Sequence, residues 1–224
     1  MINFTNGFYD LTDNKFKENK SSINPLNVGY DYIEYKGDEP IFNEIDDYFN
    51  KLLKNEEDRS KIISILSNAI KENNLRINII YGPASNGKTT FIGMVRKLFG
   101  GYYTSIEPSD EEIDLTPYCD KRIVVSSTIN SSLPLQKFKP FDAGLLYTNP
   151  NPPVPKFQIL HICNEKPKIL DDVKHQINII NFDTTFTRQE ITKDCQEHAD
   201  SELVKKIETP EWCSALMWLL IHKY

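Results

Sequence analysis

The feature that most constrains the fold is a glycine-rich segment between a short apolar run and a longer amphipathic run. The segment reads Gly82-Pro83-Ala84-Ser85-Asn86-Gly87-Lys88-Thr89. The run INIIY at 77–81 precedes it and predicts a strand, and TTFIGMVRKLF at 89–99 follows and predicts a helix. A strand and a helix are the flanks that the phosphate-binding loop GxxxxGK[ST] requires. The sequence therefore predicts an α/β fold built around such a P-loop.

The residue types of this loop indicate nucleotide chemistry. Its glycines allow the backbone to wrap, so that successive N–H groups face phosphate oxygens at the positive end of the following helix. We expect ATP to bind along the loop, with Lys88 at the β and γ phosphates and the Thr89 hydroxyl on Mg²⁺. The predicted nucleotide-binding residues are Gly82, Pro83, Ala84, Ser85, Asn86, Gly87, Lys88, Thr89 and Thr90.

Hydrophobic periodicity divides the chain into four parts. Residues 1–40 are polar but rich in aromatics, which favours short docked strands or loops. Residues 41–73 repeat apolar positions three and four apart, as two helices do, and Asp58 is the expected cap of the second. Residues 74–187 carry short β-branched runs at 77–81, 121–128, 157–163 and 177–182. Such runs are typical of strands buried on both faces of a parallel sheet. Residues 188–224 return to helix and predict a small C-terminal lid, with Thr209 as a helix cap and Pro210 in the first turn.

The ends of two predicted strands decide what chemistry can accompany the P-loop. The run at 121–128 ends in Ser126, Ser127 and Thr128, where many P-loop ATPases carry an acid that polarises water. The run at 157–163 is followed by Asn164, which could hold the γ-phosphate or the attacking water, or could simply form a turn. We take Asn164 and Lys88 as the candidate catalytic residues.

These residues, in this order, resemble a family. The motifs that carry the resemblance are NGFYDL at 6–11, GYDY at 29–32, GPASNGKTT at 82–90, ICNEKP at 162–167, INIINFDTTF at 177–186 and ALMWLL at 215–220. They are similar to the poxvirus-type primase-helicases of large DNA viruses, which are superfamily 3 helicases. The resemblance implies an AAA+-like ATPase core with a helical collar before it, a hexameric ring, translocation along single-stranded or forked DNA, and a primase region N-terminal to this chain.

The chain also departs from the family at two places that the resemblance makes important. The family's magnesium-binding strand ends in an acid, and an arginine that reaches the neighbouring subunit follows the polar sensor residue. Here residues 171–176 read DDVKHQ, and Arg188 lies beyond the next strand. We expect weakened ATP hydrolysis and, for this chain alone, a monomer or a weak oligomer. An active helicase, a non-hydrolysing ring subunit or regulator, and a nucleic-acid-binding scaffold remain the three alternatives.

A short basic and aromatic segment is the candidate DNA contact. The resemblance implies a pore hairpin between the third and fourth strands, and this chain has Lys137, Phe138, Lys139 and Phe141 there. Cations neutralise phosphates and aromatic rings offer stacking faces, as a single strand requires. A solvated loop is the alternative.

Composition limits the partners and the compartment. The 224 residues carry 26 basic and 32 acidic side chains, a formal net charge of −6, so any DNA contact must be local. No apolar stretch approaches the ~18 residues of a membrane span, and the first ten residues lack the pattern of a secretion signal. Four scattered cysteines suit a reducing compartment. We expect an intracellular protein, at a viral replication site in the host cytoplasm or in the nucleus.

Overall fold

The computed structural model describes residues 1–19, 24–71, 76–107, 115–127, 156–167 and 177–224. In chain order the strands and helices are β1 (Ile2–Phe4), β2 (Gly7–Asp10), β3 (Lys15–Glu18), α1 (Pro40–Leu52), α2 (Glu56–Lys71), β4 (Arg76–Tyr81), α3 (Lys88–Phe99), β5 (Tyr103–Ile106), β6 (Ile123–Ser127), β7 (Gln158–Cys163), β8 (Ile177–Asn181), β9 (Thr185–Thr187), β10 (Gln196–His198), α4 (Ser201–Lys206) and α5 (Pro210–His222).

A five-stranded parallel sheet forms the centre of the fold, in the order β5-β6-β7-β4-β8. Strand β4 pairs with β7 on one side and with β8 on the other, so that Tyr81 lies between Cys163 and Asn181. Because all five strands run in the same direction, the segments that follow them meet at one edge of the sheet. The mixed α/β fold with a parallel central sheet is confirmed.

A row of amide side chains crosses three strands of this sheet. Asn78 is fully buried, and its side-chain nitrogen donates to Gln158 Oε1 (3.2 Å) and to the carbonyl oxygen of Ile159 (3.1 Å). Its own Oδ1 accepts from Asn178 Nδ2 at 2.8 Å. A one-residue slip of either neighbour would leave these buried groups unpaired, which is costly. The row therefore favours one register for β7, β4 and β8.

Two details of the sequence-based prediction are wrong. The run at 177–182 is not buried on both faces: β8 is an edge strand, and four of its five residues are only partly buried. Strand β5 was not predicted, because YTSI lacks the apolar β-branched run that identified the others. The remaining predicted strands correspond to β4, β6 and β7, and Thr128 lies outside the described residues.

The helices before the sheet follow their predicted apolar stripes, with one correction at a cap. Helix α1 buries Phe42, Ile45, Tyr48, Phe49 and Leu52. The predicted cap Asp58 instead lies inside the first turn of α2. Asn55 precedes that helix, and its Oδ1 accepts the backbone N–H of Asp58 at 3.0 Å. Asparagine is as good a cap as aspartate, so residue type alone did not decide between the two positions.

The C-terminal helix α5 is the most buried helix of the described chain. The hydroxyl of Thr209 accepts from the N–H of Trp212 (3.3 Å) and Pro210 occupies the first turn, as predicted. Every residue from Trp212 to Ile221 is buried, and α5 contacts α1, α2 and α3. These helices share one hydrophobic core. The division of the chain at residues 41, 74 and 188 stays a prediction.

The N-terminal segment forms a small antiparallel sheet, β1-β2-β3, that joins the same core. Its rings interlock with the segment that follows: Phe16 stacks on Tyr32 with ring centroids 4.6 Å apart, and Phe4 meets Tyr32 edge-on. The hydroxyl of Tyr30 donates to the carbonyl of Leu98 at the end of α3 (2.7 Å). The aromatic residues of 1–40 thus dock short strands, as predicted.

A buried histidine in β7 makes stability depend on pH. His161 is 4% exposed, and burial lowers its pKa to about 4, below the ordinary value of 6.5. Between those two values the unfolded chain binds a proton that the folded chain excludes, so stability is lost as the pH falls through this range. We expect His161→Gln to remove about 3 kcal/mol of the loss between pH 7 and pH 4.

Urea unfolding of the wild type and the variant across that range measures the effect. The matched control is His198→Gln, the same substitution at an exposed position in β10. A variant of His161 with the wild-type slope would contradict this prediction.

Candidate nucleotide site

The P-loop connects β4 to α3, as the sequence predicts, and its backbone depends on glycine at two points. Gly82 lies so close to β8 that a Cβ there would overlap the carbonyl oxygen of Phe182. Gly87 has a left-handed φ of +81°, and a Cβ there would lie 2.8 Å from a Leu52 methyl and 3.0 Å from the Phe186 ring. Ser85 also has a positive φ, of +60°. The loop is therefore tightly curved and closely packed.

Asn86 and Lys88 hold the loop together from inside. Asn86 is 2% exposed; its Nδ2 donates to the carbonyl of Phe182 at 2.8 Å, which ties the loop to the end of β8. Lys88 is 7% exposed, and its Nζ donates to the carbonyls of Gly82 (2.5 Å) and Pro83 (2.9 Å) and to Asn86 Oδ1 (3.0 Å). Burial lowers the pKa of Lys88. The ammonium group thus lies within the curve of its own loop.

The first turn of α3 faces the same space. Its N-cap is Gly87, and no side chain caps it. Uncapped N–H groups at a helix N-terminus carry partial positive charge and suit an anion. Thr89 and Thr90, the next residues, line the cavity described below. The described part of the loop therefore has the donors and the positive field that a phosphate group requires.

A cavity of about 1100 Å³ extends from the P-loop towards α1 and α4. It is lined by Tyr48, Lys51, Leu52, Ala84, Ser85, Asn86, Gly87, Lys88, Thr89, Thr90, Asn164, Phe186, Arg188, Glu197, His198, Ala199, Asp200, Ser201, Leu203, Val204, Lys205 and Ile207. Outside the P-loop the lining is mixed, with apolar side chains such as Leu52 and Phe186 and charged ones such as Lys51 and Glu197. This volume is slightly above the range for sites that enclose a small organic ligand, roughly 300 to 1,000 Å³.

The cavity brings together residues that are far apart in sequence. Asn164, the polar residue predicted after β7, is exposed and lines the cavity with Lys88 and Thr89. Arg188 lines it as well, although its place beyond β8 gave no sign of this. The segment from Phe182 folds back against the loop, where the N–H of Phe186 donates to the carbonyl of Ser85 at 2.8 Å. Arg188 follows this paired residue two positions later.

The acids that line the described part of the cavity are Glu197 and Asp200, and both are engaged elsewhere. Glu197 pairs with Lys54, and Asp200 caps α4 by accepting from the N–H groups of Glu202 and Leu203. At the end of β6, Ser126 is buried and carries no charge. The nucleic-acid candidates Lys137, Phe138, Lys139 and Phe141 lie outside the described residues.

The chain is similar to a viral protein over its whole length. An alignment of 264 positions with a candidate helicase, L207/L206, of Acanthamoeba polyphaga mimivirus has 25% identity and covers 99% of this chain but 26% of that protein. The resemblance to a viral helicase is confirmed. The chain thus spans about a quarter of the relative it matches, and no protein-family model matches it.

Solved structures show the same fold. The A form of the apo NrS-1 C-terminal region aligns with a TM-score of 0.59 at 16% identity, covering 96% of this chain and 52% of that one. An apo structure of residues 305–718 of NrS-1 gives 0.57 with the same identity and coverage. The α/β architecture around the P-loop is therefore one that the NrS-1 region also has. No helix among the described residues is both long and apolar enough to span a membrane.

The buried amide of Asn86 should be worth more to stability than the exposed amide of Asn164. We expect Asn86→Ala to lower the free energy of unfolding by about 1 to 3 kcal/mol, because it leaves the Phe182 carbonyl and the Lys88 ammonium short of a partner. Asn164→Ala, in the same cavity, should change it by less than about 0.5 kcal/mol. Chemical denaturation measures both, and equal losses would contradict the assignment.

Proposed function

We propose that this chain is an ATP-binding domain of the superfamily 3 helicase type, from a viral primase-helicase that acts in DNA replication, and that it hydrolyses ATP weakly. The observation that carries the proposal is the P-loop: a buried lysine and an uncapped helix N-terminus open into one cavity large enough for a nucleotide. The similarity to a viral helicase supports the proposed role in DNA replication.

Phosphate binding follows from groups of the loop itself. A triphosphate beside α3 would offer Lys88 Nζ charged acceptors in place of the neutral carbonyls of Gly82 and Pro83. Charge-assisted hydrogen bonds are roughly twice as strong as neutral ones, so the exchange is favourable. It also releases two loop carbonyls, and binding should therefore shift the loop slightly.

The residues present also fit a magnesium ion held mainly by phosphate and water. Mg²⁺ takes few protein ligands, and the hydroxyl of Thr89 lies in the first turn of α3, at the cavity. When bound, the ion neutralises charge between the β and γ phosphates. The described residues contain no cluster of three or more His, Cys, Asp or Glu that could hold a metal alone. The described residues therefore suit a magnesium ion that binds together with the nucleotide.

Hydrolysis requires further groups, and the described site supplies only some of them. Asn164 can orient a water or a γ-phosphate oxygen, and Arg188 can add positive charge from the same subunit. The carboxylates that line the described cavity are committed to Lys54 and to the cap of α4. A carboxylate able to polarise the attacking water is therefore not among these lining residues. We propose slow turnover for this reason.

A second candidate function uses the nucleotide as a structural ligand. If Glu197 and Asp200 keep their present partners, bound ATP would join α3 to the segment that carries Arg188 without being consumed. The chain would then be a non-hydrolysing ring subunit or regulator. Steady-state turnover separates the two functions, because only the first one releases phosphate.

The partners proposed for the whole protein follow from its relatives rather than from the described surface. We propose that it acts on single-stranded or forked DNA through Lys137, Phe138, Lys139 and Phe141, inside an infected cell. We also propose that hexamers require the primase-bearing N-terminal region or DNA, so that this chain alone is monomeric or associates weakly.

The central prediction concerns Lys88. The wild type should bind ATP with magnesium yet turn over below about 0.01 s⁻¹, roughly a thousandfold under the median enzyme. Lys88→Ala should abolish binding in a calorimetric titration, whereas Lys97→Ala, at an exposed position on the same helix, should bind as the wild type does. A fast wild-type rate that Lys88→Ala abolishes would refute slow turnover, and unchanged binding by Lys88→Ala would refute the site.

A second prediction concerns DNA. Replacing both Lys137 and Lys139 by Ala should weaken single-strand binding and reduce the slope of log K against log salt by about 1.4, the value for two phosphate contacts. The control is a double alanine variant at the exposed Lys36 and Lys193, which changes net charge equally. An equal reduction in both variants would indicate a general charge effect and contradict a local contact.

A further inference from the structure

Basic residues gather near the edge of the central sheet where its strands begin. This edge is opposite to the one that carries the P-loop, because the five strands run in the same direction. The chain as a whole has a net charge of −6, so a group of cations here is a local feature of the surface. We call these residues the basic edge: Arg76, Arg96, Lys121, Arg122 and Lys156.

Backbone hydrogen bonds fix the order of the basic residues that begin neighbouring strands. The N–H of Gln158 donates to the carbonyl of Arg122 at 2.9 Å, and the N–H of Arg76 donates to the carbonyl of Phe157 at 3.4 Å. Lys156 directly precedes this paired stretch of β7. Neighbouring strands lie about 4.8 Å apart, so the starts of β6, β7 and β4 span about 10 Å. Arg122, Lys156 and Arg76 therefore form a row across three adjacent strands.

Two further cations extend this row towards the end of α3. Lys121 Nζ donates to the carbonyl of Gly101, just after α3, at 3.1 Å and to Asp120 Oδ2 at 2.9 Å. The guanidinium of Arg96, in the last turn of α3, lies 5.8 Å from the centroid of the Tyr103 ring. Tyr103 begins β5, which pairs with β6. The row therefore reaches the edge strand of the sheet.

The carboxylates near the basic edge leave it positively charged. Asp120 pairs with Lys121 at 2.9 Å. Asp10, which lies near the terminal amine, pairs with Lys17 at 2.7 Å. The members of the basic edge that are exposed and have no ion pair among the described residues are Arg76, Arg96 and Lys156.

A chain of phosphates is a partner that matches a row of exposed cations. A single nucleic-acid strand carries one phosphate per nucleotide and is flexible, so successive phosphates can follow such a row. A guanidinium also binds phosphate oxygens through two parallel hydrogen bonds. The segment that carries Lys137 and Lys139, the DNA contact proposed above, rejoins the described chain at Lys156. The two basic features are therefore connected through the start of β7.

We propose that the basic edge binds the phosphate backbone of single-stranded DNA, as a second contact in addition to Lys137 and Lys139. This inference rests on the proposed function, because the choice of DNA among polyanions comes from it. Contacts to phosphates carry no sequence information, so the binding is independent of base sequence and weakens steeply with salt. DNA bound here does not compete with a nucleotide at the P-loop, which lies at the opposite edge of the sheet.

The test removes charge from two exposed members of the row. One variant combines Arg76→Gln with Lys156→Gln, and a charge-preserving variant combines Arg76→Lys with Lys156→Arg. The control combines Lys36→Gln with Lys193→Gln, at exposed positions outside the basic edge. Binding to fluorescent oligothymidylate is measured by anisotropy over a range of salt concentrations. Calorimetry with an ATP analogue and the melting temperature report the fold of each variant.

We expect the glutamine variant at positions 76 and 156 to bind about 25-fold more weakly at about 0.1 M salt. The slope of log K against log salt should fall by about 1.4, the value for two phosphate contacts. The charge-preserving variant should bind as the wild type does, and the control should lose much less affinity. All variants should bind the ATP analogue equally. Combining the glutamine variant with the Lys137 and Lys139 alanine variant should reduce the slope by about 2.8.

Three results would overturn the inference. An unchanged slope, or an equal loss in the control, would show that the basic edge makes no local contact, while the P-loop and Lys137 predictions stand. Equally tight binding of polyglutamate, lost in the glutamine variant, would identify an acidic protein as the partner instead. A wild type that does not bind oligothymidylate would contradict the proposed DNA partner together with this inference. If the glutamine variant melts early, Lys156→Gln alone must reduce the slope by about 0.7.

Discussion

The tie between the P-loop and the end of β8 is the contact on which the site depends. The Asn86 side chain donates to the carbonyl of Phe182, while Gly82 approaches that same carbonyl more closely than any side chain would allow. The loop can close around Lys88 only because β8 pairs with β4 and carries Phe182 to this place. A local motif thus acquires its shape from a strand about a hundred residues later.

The contact between Asn86 and the Phe182 carbonyl also explains why residues from several parts of the chain line one cavity. After Phe182 the chain turns back along the loop, and the Phe186 N–H pairs with the Ser85 carbonyl. Arg188 and residues of β10 and α4 then line the same cavity as the loop and α1. Two ion pairs across that space, Lys54 with Glu197 and Lys206 with Glu44, join α1 and its end to the covering segment. Exposed pairs of this kind contribute little stability each, so the covering segment is held mainly by its backbone contacts.

Segments from both ends of the chain pack against the helices next to this cavity. Helix α5 is buried along ten consecutive residues and contacts α1, α2 and α3, while Tyr30 of the N-terminal segment bonds the last turn of α3. Trp218 of α5 stacks on Phe42 of α1 and donates to Glu34. Helix α3, which follows the P-loop, therefore packs against α5 and is also bonded to the N-terminal segment.

The sequence by itself determined the glycine-rich loop between β4 and α3, the positions of the four predicted strands, and the apolar faces of the helices, because these depend on patterns a few residues long. It also placed Asn164 after β7, at the edge where parallel strands end. It did not reveal β5, the edge position of β8 or the part of Arg188 and Tyr48 in the cavity. Those depend on which strands become neighbours and on how the chain returns after β8, and such long-range pairing is decided by the packing of the whole core and has no local sequence signal.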